Sequence, residues 1–168
     1  KNYELTKLRP NLFFLHLQDY KVKGNLDEKF KKQINNLKKE FDHIIIDGSP
    51  VMNLDNVFVD VAEHIIVPTF LDSVTTNSIL NLLKKTDISK IRAVIPNRVG
   101  RTAIEKNFYT FLKDKLTRSG VFLSIPINQS AIILKLIENG TLLWERRSQK
   151  LDDIKNVFIK VWGEIEDE

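Results

Sequence analysis

Asp47 is the residue whose position most invites chemistry. It ends the apolar run Ile44–Ile46, and Gly48, Ser49 and Pro50 follow at once. A carboxylate at the tip of a hidden strand can hold a hydrated cation, accept a phosphoryl group or cap the next helix. Gly48 lets a ligand approach the backbone closely, and Pro50 fixes the exit from the strand. A second resource is charge. The chain carries +4 overall, but residues 84–118 hold ten basic side chains against three acidic ones, a local net of +7. Such a segment attracts polyanions by releasing their counterions, or else forms an ordinary solvated face. The three histidines, His16, His43 and His64, fall on strand positions and read as core or edge residues rather than metal ligands.

These groups need elements to position them. With 168 residues and 42% hydrophobic content, the chain suits one domain, 1–168, with a core of its own. Cysteine is absent, so disulfides and thiolate metal sites are excluded and a reducing compartment is expected. No apolar run is long enough to span a membrane. The chain opens on Lys1 without an initiator Met, and the expectation is that the protein extends upstream. Strand-length apolar runs at 11–17, 43–47, 64–68, 91–97 and 121–126 alternate with helical spacing at 25–41, 75–85, 102–120, 130–140 and 151–165. The strands at 43–47, 64–68 and 91–97 are apolar on both faces, which predicts burial in a parallel sheet. Thr102 and Glu105 fit a capping box, with Gly120 and Gly140 as helix stops. In the last helix Ile154, Val157, Phe158, Val161, Trp162 and Ile165 form one inward stripe, and Trp144 and Trp162 read as packing anchors.

Strand–helix alternation of this kind predicts an α/β fold with a parallel sheet flanked by helices, whose ligands bind at the carboxyl ends of the strands. The segments that follow those ends are "DGSP", "VPTFLDS", "IPNRVGR" and "SIPINQS", rich in polar, Gly and Pro residues. An apolar run closed by Asp occurs in the Walker B strand of nucleoside triphosphatases and in the phosphoacceptor strand of receiver domains. On that stretch alone these two readings and a helix cap stay open.

The ordered set narrows them. "DHIIIDGSP", "AEHIIVP", "IPNRVGRT" and "SIPINQS…ENGTLLWE" resemble, in sequence order and spacing, the C-terminal half of the ParA/MinD family of deviant-Walker ATPases, within it the Soj-like DNA-partition branch. "LRPNLFFLHLQ" is similar to the family's strand upstream of switch II. The resemblance spans nearly all of the chain and implies a P-loop NTPase-like fold of the SIMIBI type. It implies that Asp47 coordinates the water shell of Mg²⁺ at switch II and that Gly48 approaches the γ-phosphate of ATP. It implies that Asn97 faces adenine, with Pro126, Ile127 and Asn128 on the other rim of the base. It places Arg101 on a non-specific DNA-binding surface, joined by Arg98, Lys106 and Lys135.

The chain departs from the family in the loop after "IP", here the longer and less basic "INQSAIILKLIENG", and above all in one further respect. Its six glycines are Gly24, Gly48, Gly100, Gly120, Gly140 and Gly163, and none precedes Gly-Lys-Ser/Thr. The phosphate-binding loop is therefore not in this sequence, and the N-terminal P-loop portion of the fold is expected to be missing. This chain alone is expected not to hydrolyse ATP. The resemblance implies a cytoplasmic, nucleoid-associated protein that dimerises around ATP and binds DNA non-specifically, its hydrolysis stimulated by a ParB-like centromere-binding partner. The alternatives are a non-catalytic DNA-binding or interaction module and a MinD-like membrane-associated ATPase. The acidic end "EIEDE" of the last helix argues against the membrane, because it repels anionic headgroups.

Overall fold

The structure, a computed structural model, describes residues 4–16, 26–48, 55–100 and 102–166. It divides into two compact units, Lys1–Val61 and Ala62–Glu168.

In the first unit, β1 (Leu5–Arg9) and β2 (Leu12–Leu15) form an antiparallel hairpin with Thr6 opposite Phe14. The helix α1 (Leu26–Leu37) carries Phe30, Ile34 and Leu37 at spacings that share one helical face, and all three are buried. They pack with Val57 and Phe58 of α2 (Asp55–Val61), the rings of Phe30 and Phe58 lying 5.2 Å apart. An exposed ion pair, Lys31 Nζ to Asp60 at 2.9 Å, ties the same two helices.

The expected buried strand at 43–47 is not formed, and this corrects the sequence reading. No strand is assigned over 43–48. Ile44 and Ile46 pack partly against the α1–α2 core, while Ile45 is 87% exposed and Asp47 is exposed. A segment buried on both faces needs sheet neighbours on both edges to satisfy its backbone. Without a ladder only one face finds apolar cover.

The second unit is an α/β layer structure. Its sheet is parallel and three-stranded, in the order β3 (Ile65–Thr69), β4 (Ile91–Pro96), β5 (Phe122–Leu123). The connections are α3 (Ser73–Lys85) and α4 (Ala103–Leu116), and α5 (Ala131–Glu138) and α6 (Gln149–Glu166) follow the last strand. Central β4 is buried on both faces along its apolar stretch Ala93–Pro96, as that stretch predicts. Val94 turns to a core with Leu112 and Leu116 of α4 and Ile79 of α3. Ala93 and Ile95 turn to a second core with Leu136 of α5 and Leu151, Ile154, Val157 and Val161 of α6. Ile91 shares the face of Val94 because the β3–β4 register slips between Ile65 and Ile66, skipping Arg92. The skipped Arg92 donates from Nε to His64 Nδ1 at 3.1 Å.

The helix boundaries follow local chemistry. Asp72 caps α3, accepting from the Thr75 N–H at 2.7 Å and the Thr75 hydroxyl at 2.8 Å, so the helix starts two residues before the apolar periodicity does. The expected capping box of Thr102 and Glu105 opens α4. After α5, Gly140 takes φ +59°, with its N–H on Ile137 O at 3.1 Å and the Thr141 N–H on Leu136 O at 2.9 Å. This is the paired C-terminal closure that glycine makes without a Cβ penalty.

The inward stripe expected on α6 is narrower than its sequence pattern. Phe158 and Trp162 are 41% and 39% exposed, and Trp144 is 57% exposed with its ring 6.2 Å from Phe158. The tryptophans are therefore surface residues, Trp162 at the margin of the apolar arc of α6 and Trp144 in the turn before that helix. Among the described residues no helix is long and apolar enough to cross a membrane.

Candidate functional site at the carboxyl ends of the parallel strands

The three strand ends are tied together by main-chain bonds. The Asn97 N–H donates to Thr69 O at 2.7 Å, linking the exits of β3 and β4. The Ile127 N–H donates to Pro96 O at 2.8 Å, the Val99 N–H to Ile127 O at 3.0 Å and the Gln129 N–H to Val99 O at 3.2 Å. Val99 and Asn128 thereby form a parallel bridge beyond the regular ladder. The segments "IPNRVG" and "IPINQS" are thus held side by side by their own backbones.

Against this seam lies a cavity of about 390 Å³, bounded by Leu71 after β3, Val99 and Gly100 after β4, Pro126 and Asn128 after β5, and Lys106 of α4. Tyr109 also borders it. Burial pushes the Tyr109 phenol up, and its hydroxyl donates to Ser124 O at 3.3 Å. A larger cavity, about 520 Å³, lies between α3 and α4 and is lined by Ser73, Thr76, Asn77, Ile104, Asn107, Phe108 and Phe111. It holds no ionisable group and no strand-end turn, so the smaller cavity is the better candidate site.

The residues singled out by sequence separate into groups. Pro126, Asn128 and Lys106 meet at the cavity. Ile127 does not line it: its side chain is 5% exposed and belongs to the α5–α6 core, leaving only its backbone at the seam. Asn97 is half-buried, and its Oδ1 accepts from the Arg98 N–H at 2.9 Å. Arg98 is exposed and takes φ +52°, making it the single non-glycine residue with positive φ among those described. Lys135 is exposed on α5, whose core lies on the face of the sheet opposite α4, so it does not join Lys106. Arg101 lies outside the described residues. Asp47 and Gly48 belong to the first unit. A Cβ at Gly48 would meet only Phe58 Cδ2, at an ordinary 3.6 Å.

Two features of the site were not foreseen. Tyr109 and Leu71 carry no sequence signal, since both sit within apolar runs. Glu105 does more than cap its helix. Its carboxylate accepts from the Gly100 N–H at 2.7 Å, the Thr102 N–H at 3.1 Å and the Thr102 hydroxyl at 2.7 Å. The Thr102 hydroxyl and the two main-chain donors stabilise its ionised form and hold its pKa below the usual carboxylate range.

No cluster of three His, Cys, Asp or Glu able to hold a metal exists among the described residues. Asp47 is exposed and stands in no such cluster. No family model, curated protein or solved structure matches the chain. The class of the second unit rests on its geometry: an α/β unit with a three-stranded parallel sheet flanked by helices, compatible with Rossmann-like and P-loop-like folds.

Proposed function

We propose that the chain is the C-terminal part of a ParA-like ATPase that partitions plasmid or chromosomal DNA. The observation that carries this reading is the seam at the strand ends. There "IPNRVG" and "IPINQS" meet at one cavity, with Lys106 on its rim and the exposed Arg98 on the same loop. In this reading Pro126, Asn128 and the backbone of Ile127 face one rim of adenine. Asn97 offers its amide N–H₂ to the base, its oxygen being engaged by Arg98. Arg98, Arg101 and Lys106 contact DNA phosphates. Asp47 contributes one oxygen to hydrated Mg²⁺, and Gly48 leaves room for the γ-phosphate.

Mg²⁺, when bound, neutralises charge on the phosphates. The lysines and the hydroxyl that complete the cradle belong to a Gly-Lys-Ser/Thr loop not found in this sequence. Hydrolysis, ATP-dependent dimerisation and stimulation by a ParB-like partner are therefore assigned to an assembly that includes that loop. In this reading it attaches along β3, which pairs only with β4 among the described residues.

Two titrations test the reading. Adenosine or ATP is expected to shift the backbone amide resonances of Val99, Gly100 and Asn128 first, and absence of any shift there rejects the base site. Generic duplex DNA is expected to bind with affinity that falls steeply with salt. Binding unchanged in an Arg98→Ala, Arg101→Ala double variant rejects the DNA surface. The missing loop motif also favours a second reading, a DNA-binding module that does no chemistry. DNA binding with no nucleotide response supports that alternative.

A further inference from the structure

We propose that Glu105 is a positioning residue for the DNA-binding surface: its carboxylate clasps the loop between β4 and α4 and holds it in the form that presents Arg98 to phosphate. The proposal rests on the DNA-binding part of the reading above.

Four observations converge on this clasp. Glu105 takes hydrogen bonds from two main-chain N–H groups, those of Gly100 and Thr102, and Arg101 lies between them in the sequence. A Cβ at residue 100 would lie 2.9 Å from Glu105 Oε2 and 3.2 Å from Oε1, so any side chain there would push the carboxylate aside. Arg98 holds a left-handed backbone, φ +52°, which is costly for a residue with a Cβ and persists only when its surroundings impose it. Asn97 Oδ1 holds one side of Arg98 through the N–H bond at 2.9 Å, and the buried, bridged Val99 followed by the clasp holds the other.

A further observation is electrostatic. Glu105 is one of three acidic side chains in a segment with ten basic ones. On a surface that meets a polyanion, a carboxylate is unfavourable by Coulomb's law alone. It also occupies the main-chain N–H donors at the start of α4 that a phosphate could otherwise use. An acid in this place contributes through the loop geometry it enforces. The clasp orders the loop before DNA arrives, so less side-chain and backbone freedom is lost on binding.

The test compares two variants of equal charge. Glu105→Gln keeps one oxygen acceptor for the Thr102 capping contacts, where Gln is an accepted substitute, and loses the acceptor for the Gly100 N–H, so it retains part of the clasp. Glu105→Ala keeps none. Duplex binding by the 168-residue chain is read by fluorescence anisotropy across a salt series. Glu105→Ala is expected to bind about 3- to 10-fold more weakly than Glu105→Gln, the range for losing the pre-ordering of one long side chain. Its dependence on salt should be shallower, and amide exchange over 98–102 faster.

A general loss of stability would not change the salt slope at a temperature where both variants are folded. Should Glu105→Ala fail to fold, Gly100→Ala serves instead. It keeps the carboxylate but crowds it off the loop, and is expected to weaken binding to the same degree. Equal affinity of the Ala and Gln variants, or undiminished binding by Gly100→Ala, overturns the clasp while leaving the DNA surface intact. Parent protein that shows no salt-dependent binding overturns both.

Discussion

Leu112→Ala probes the layer that carries the strand-end site. Leu112 is 0% exposed and sits on α4 among Val94, Ile79 and Leu116, so α4 is pinned to β4 through it. The substitution removes three carbons from a fully buried side chain. At about 0.8 kcal/mol per buried CH₂ the transfer loss is roughly 2.4 kcal/mol. The void left between sheet and helix adds to that, and buried Leu→Ala changes span about 2–5 kcal/mol in all. The expected loss is therefore about 3 kcal/mol, a large share of the roughly 5–15 kcal/mol that stabilises an ordinary domain. Urea unfolding followed by far-UV circular dichroism measures it. Ile104→Ala, on the same helix but 66% exposed, is the control and should change stability by less than about 1 kcal/mol. If Leu112→Ala costs no more than Ile104→Ala, α4 is not seated on the sheet as described. The cavity bordered by Lys106, Pro126 and Asn128 then loses its wall.

Three further outcomes follow from particular residues. Arg98→Gly should be more stable than Arg98→Ala by about 1 kcal/mol, because only glycine takes φ +52° freely. Paired denaturant midpoints decide it, and equal values count against the left-handed loop. Glu105 and Asp72 both have their pKa lowered, by hydrogen bonds from Thr102 and Gly100 and from Thr75 respectively. Groups whose folded pKa is depressed contribute stability above their unfolded pKa and lose it as pH falls through the folded value. Stability should thus fall on acidification below the ordinary carboxylate range, and less so in Glu105→Gln, as unfolding curves at neutral and acid pH will reveal. Ile45→Ser should alter stability by no more than about 0.5 kcal/mol, since Ile45 is 87% exposed. A loss of several kcal/mol by calorimetry would restore the buried strand.

What could be read directly from residue order was local. Thr102 with Glu105, and Gly140 after α5, announce helix ends because capping is a contact between residues a few positions apart. The apolar stretch Ala93–Pro96 of β4 announces a central strand because only burial on both faces tolerates it. The same argument failed at residues 43–47, where an equally apolar run lies in no ladder and exposes Ile45. Whether a segment becomes a strand depends on neighbours supplied by distant parts of a sheet, and no local pattern records whether they are present. Ile127 and Lys135 were placed by analogy with a ligand rim and a DNA surface. Their fates, one in a core and the other across the sheet from Lys106, were decided by which face each helix covers. The bond from Glu105 to Gly100 spans five residues and passes beyond the helix. It depends on the turn that β4 makes after Pro96, and that turn is set by the bridge from Val99 to Asn128, a contact made only when the chain is folded.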